Sequence, residues 1–137
     1  MTSRSHARVR DTDRGLRAYT REMASLASAR VVAGVTESSG GEVHRSGATS
    51  MEVAAVHEFG TRTHPPVAFI RGTDEDARAQ EAARASAHAL ATTPAQLRAE
   101  LERVGSVAAD GIRSRIEAAG LVETGALLRA VTSEVRT

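Results

Sequence analysis

The chain of 137 residues has no cysteine and no tryptophan. Disulfides, thiolate metal sites and a cysteine nucleophile are therefore excluded, and the redox compartment leaves no trace in the sequence. Lysine is also absent: all 18 basic residues are arginine, set against 17 acidic residues for a formal net charge of +1. A protein that neutralises many phosphates carries a large basic excess, so this balance argues against a free-standing nucleic-acid binder. No apolar run approaches the roughly 18–20 residues needed to span a bilayer, and the first residues, MTSRSHARVRDTDR, lack the apolar core of a signal peptide. The expectation is synthesis in the cytoplasm and no membrane partner. Aromatics make up 2% of the chain, and much of the 41% hydrophobic fraction is alanine. Alanine buries little area at about 25 cal/mol per Å², so a thin core and burial against neighbouring copies are expected.

Periodicity and caps predict the elements. Leu16, Tyr19, Met23 and Leu26 recur at helical spacing, placing a first helix over about 12–28 with Asp11 or Thr12 as its cap. Residues 30–36 are rich in β-branched side chains and end at Ser38-Ser39-Gly40-Gly41, which predicts a strand, paired in a hairpin with 42–45. Thr49 or Ser50 opens a short helix that Gly60 ends. Residues 67–71, Val-Ala-Phe-Ile-Arg, have strand character; Thr73 with Asp76 caps an alanine-rich helix over about 74–91. Thr93-Pro94-Ala95-Gln96 marks the start of a long helix with the stripe Leu97, Leu101, Val104, Ala108, Ile112 and Ile116, stopping near Gly120. Residues 124–129 read as one helical turn and 130–136 as a half-buried terminal strand. Together these predict a single α+β domain over 1–137, with a small antiparallel sheet of three to four strands packed against long helices. Residues 1–10 read as a flexible basic arm, its arginines Arg4, Arg8, Arg10 and Arg14 available to a partner.

The stretch AAVHEFGTRTHPPVAFIR, residues 54–71, concentrates histidines, a glutamate, two of the three prolines and both phenylalanines. A zinc-protease helix places two histidines four residues apart with a glutamate after the first. The residue four after His57 is Thr61, and Gly60 breaks the helix first, so that pattern fails. Loop convergence of His44, His57 and His64 leaves a small metal-dependent hydrolase using His57, Glu58 and His64 as a remote alternative. The loop 37–47 lacks the ending of a phosphate-binding loop, no Gly-x-Ser-x-Gly elbow occurs, and Asp74, Glu75 and Asp76 sit where a helix dipole favours them. The expectation is no catalytic residue, no cofactor, no metal and no small-molecule substrate. A structural reading assigns Gly60 a positive φ that closes the helix, Phe59 and Phe69 to the core, and Pro65 and Pro66 to an extended connection. It also gives Glu58 backbone N–H groups of the following loop as donors.

The same stretch carries a resemblance. His57-Glu58-Phe59-Gly60, followed by Pro65-Pro66 and Phe69-Ile70-Arg71, resembles the signature of the phage virion morphogenesis proteins, a tail-completion and head–tail-joining family of tailed phages. Thr124-Gly125-Ala126-Leu127, leading into a final strand, is similar to a second element of that family. Val67 and Ala68 stand where the family usually has Arg and Pro. The resemblance implies a non-enzymatic structural protein of the virion neck, in a phage, prophage or gene transfer agent. It implies a ring of identical copies joining tail to capsid, with the head connector or adaptor and the tail terminator or tail-tube proteins as neighbours. DNA passing through the channel is a further candidate partner. A tail terminator or minor tail protein of the same particle is the near alternative.

Overall fold

The computed structural model describes residues 15–71, 74–121 and 125–137. Five helices and two strands follow one another as α1 (Leu16–Ala27), β1 (Arg30–Val35), α2 (Ser50–Phe59), α3 (Asp74–Leu90), α4 (Pro94–Ala118), α5 (Ala126–Ala130) and β2 (Val131–Arg136). The architecture is α+β, with α4 as its axis.

Local chemistry explains the helix starts. Thr49 accepts a hydrogen bond from the Glu52 N–H while the Glu52 carboxylate accepts from the Thr49 N–H, a complete capping box for α2. Thr93 accepts from the Gln96 N–H ahead of Pro94, whose missing donor costs nothing at the first helical position. One face of α4 is buried from Leu97 to Ile116. Its first turns meet Leu26 and Ala29 in one cluster, and its last turns meet Ala54, Phe69, Leu127 and Val131 in a second. Helix α1 is tied to the α3–α4 junction by the Tyr19 hydroxyl, which donates to the Thr92 carbonyl at 2.9 Å.

β1 and β2 pair antiparallel, with Val31 opposite Val135, Ala33 opposite Ser133 and Val35 opposite Val131. These residues face α4: a Cβ on Gly105 would lie 2.9 Å from a Val31 methyl and 3.0 Å from the Ser133 Cβ. Glycine at this point of α4 lets helix and sheet approach more closely than any side chain permits.

Among the described residues the sheet has two strands, fewer than the three or four that residue type suggests. Residues 67–71 form no strand because their donors are taken by the end of α2. The Val67 N–H goes to the His57 carbonyl, and the Ile70 and Arg71 N–H groups go to the Glu58 carboxylate. Nor do residues 42–45 pair with β1. After Thr36 the chain turns away, its carbonyl accepting from the Ser39 and Gly40 N–H groups, and Val43 forms only an isolated bridge to Thr49. The expected start of the first helix near 12, with its cap, lies outside the described residues.

Candidate functional site

The stretch 57–71 is a closed turn built around Glu58. This side chain sits in the last turn of α2 and is 4% exposed. Its carboxylate accepts from the Ile70 N–H at 2.9 Å, the Arg71 N–H at 2.8 Å and the Arg71 Nε at 2.9 Å. The Arg71 Nη2 also donates to the Glu58 backbone carbonyl. Burial pushes the Glu58 carboxyl up, but the Ile70 and Arg71 N–H groups and the Arg71 guanidinium outweigh it and hold the group below its ordinary value. Glu58 thus accepts from three donors of the loop after it, which favour its charged form.

Gly60 makes the turn possible. Its φ is 73°, and a Cβ there would lie 2.8 Å from the His64 carbonyl oxygen and 2.8 Å from the Pro66 nitrogen. The Thr61 N–H donates to that same His64 carbonyl at 2.8 Å, closing the small loop beneath Pro65 and Pro66. Phe69 then drops into the core at 2% exposure. Phe59 does not follow it: it is 67% exposed, and the Arg71 guanidinium stacks over its ring at 4.8 Å. The expectation that both phenylalanines fill the core is therefore corrected. The helix phase that buries Ala54 and Glu58 turns Phe59 outward, one residue further around α2.

The second stretch reaches the same place. Gly125 takes a φ of 75° at the start of α5, and Leu127, 3% exposed, packs in the cluster that holds Phe69. Thr124 and the arginines Arg4, Arg8, Arg10 and Arg14 lie outside the described residues.

The three candidate metal ligands hold separate positions. Glu58 is occupied by Ile70 and Arg71; the exposed His64 ring meets the Thr63 hydroxyl at 3.1 Å. His57 is half-buried and lines a cavity of about 360 Å³ with His44, Arg45, Glu52, Val53 and Val56. Burial, followed by the nearby His64 and His44, lowers the pKa of His57 below its ordinary value. Among the described residues no three His, Asp or Glu side chains group closely enough to hold a metal ion.

Three contacts that fix the surroundings carry no local sequence signal. The Ser39 hydroxyl donates to the Ala130 carbonyl at 2.6 Å, and the Arg113 Nη2 donates to the Val131 carbonyl at 2.6 Å. Arg129 pairs with Glu42 at 2.6 Å, and this pairing lowers the Glu42 pKa. Each joins residues brought together only by the fold.

Comparison with protein-family models, with curated proteins and with solved structures finds no match.

Proposed function

We propose that this chain is a non-enzymatic structural protein of a phage or phage-derived particle, a tail-completion or head–tail connector component assembling as a ring at the neck. The reading rests on the sequence resemblance of two distant stretches to that family. The observation in the fold that carries it is their convergence: Phe69, delivered by the Glu58 turn, and Leu127, delivered by Gly125, pack in one core cluster. A shared core is what two family-defining segments need if their task is to shape a scaffold rather than to do chemistry. The commitment of Glu58 to three N–H donors supports the same reading, because a buried carboxylate with three of its four lone-pair sites taken by the chain's own donors is placed to hold the turn.

The test is electron microscopy of particles made without the gene, with the protein supplied from a plasmid as control. Filled heads beside separate tails, joined again on complementation, are the expected result. Joined particles without the protein would remove the neck assignment. Joined particles with tails of irregular length would move the protein to the tail terminator position.

A further inference from the structure

A groove of about 510 Å³ runs beside β1, lined by four consecutive strand residues, Arg30–Ala33. No β2 residue lines it, so it follows the edge of β1 that faces away from β2, its one partner strand among the described residues. Such an edge presents backbone donors and acceptors at a fixed repeat, the template that an added strand uses. The floor is apolar and narrow, made by Val104, Ala108 and Ile112 on successive turns of α4, each less than a tenth exposed. The far wall is α3, through Glu81 and Arg84, and Ile70 closes one end. Ile70 is fixed there by its N–H bond to Glu58, and its Cδ1 lies 3.8 Å from where a Gly34 Cβ would stand.

The polar groups of the groove are unbalanced toward positive charge. Arg84 donates from Nη2 to the Ala29 carbonyl at 2.9 Å and approaches Glu81 only at 3.5 Å. Its Nε is buried and has no hydrogen-bond partner among the described residues. A buried donor left unmade is costly, and guanidinium forks are best completed by carboxylates. Arg30, at the open end of the strand, has no ion-pair partner among the described residues and faces Arg136 across the ladder.

We propose that this groove takes an extended, carboxylate-bearing peptide segment of a partner protein as an added strand on β1. Backbone bonds to the open edge hold the segment, alternate apolar side chains rest on α4, and a carboxylate completes Arg84. The inference goes beyond the neck assignment and rests on the groove alone, so either can fail without the other.

The test uses the full chain labelled with ¹⁵N and the probe peptide acetyl-Thr-Val-Glu-Val-Glu-Val-Thr-amide. The expected result is saturable shifts of the Val31, Val32 and Ala33 amides. Binding should fall about tenfold in Arg84→Met and by a similar factor when lysine replaces glutamate in the probe. A probe methylated on alternate backbone nitrogens should not bind, because it cannot form the ladder. The two altered probes leave the protein intact, so a fold disturbed by Arg84→Met does not blur the outcome. Equal binding of the methylated probe, shifts confined to other surfaces, or no saturation at millimolar probe would overturn the proposal. Equal shifts from free succinate would overturn it too, by assigning the groove to a small carboxylate.

Discussion

Glu58 accounts for most of what residues 57–71 do, and its replacement isolates the chemistry. Glutamine keeps the shape but offers one oxygen and a donor group to three N–H donors. Glu58→Gln should cost about 2–3 kcal/mol, lowering the thermal midpoint by roughly 5–10 °C in a scan by circular dichroism. Phe59→Ala, by contrast, removes an exposed ring and its cation–π contact and should cost no more than about 1 kcal/mol. Acid should mimic the glutamine substitution. The folded-state pKa of Glu58 lies below its unfolded value near 4.5, so its contribution is present above that pH and is lost as pH falls through the lower folded value. The wild-type protein should lose stability over that window more steeply than Glu58→Gln, as measured by urea midpoints at a series of pH values. His57 behaves with the same sign in a higher window. Its folded pKa lies below 6.5, so its contribution is lost as pH falls below 6.5, and its NMR titration midpoint should move up in His64→Ala. A His57 midpoint unmoved by that substitution would separate the two rings. The acceptor role of Glu58 was legible from its place before a glycine and two prolines. The exposure of Phe59 was not, because it depends on which face of α2 meets the core.

The elements divide by the range of the interactions that make them. Helices α2 and α4 announce themselves in Thr49, Glu52, Thr93 and Pro94 because a cap is completed within three residues. The β1–β2 ladder joins segments about a hundred positions apart, so the two strands were legible singly, β1 through its β-branched residues and β2 through its alternation, while their pairing was not. Residues 67–71 show the opposite failure. Their Val, Phe and Ile suit a strand, but a side-chain carboxylate twelve residues earlier takes the backbone donors, and no propensity encodes that competition. Two glycines of α4 make the packing testable within one helix. A Cβ at Gly111 meets nothing within 4 Å, so Gly111→Ala should stabilise by about 0.5–1 kcal/mol through helix propensity. Gly105→Ala gains the same propensity but forces Val31 and Ser133 away, and it should destabilise by about 1–3 kcal/mol. Opposite signs in denaturant midpoints are expected, and equal signs would show that the sheet yields to α4.

At the scale of the whole molecule, a chain this long has a stability of roughly 7–15 kcal/mol. Of the sixteen buried apolar residues among those described, seven are alanine, so a few large side chains must carry the core. They fall in two clusters that share no residue and are joined through α4, with Leu101 in one and Ile112 in the other. If α4 transmits order as a rigid rod, loss at either end weakens both. Leu101→Ala and Ile112→Ala should each cost about 2–4 kcal/mol, a large share of the total. Tyr19, the only tyrosine in a chain without tryptophan, reports on the α1 end by fluorescence, while circular dichroism reports on all the helices. In Ile112→Ala, whose cavity lies in the other cluster, the tyrosine signal should shift to lower temperature together with the helical signal. A tyrosine transition left at the wild-type midpoint would mean that the two clusters melt independently, and that α4 joins two small cores rather than unifying one.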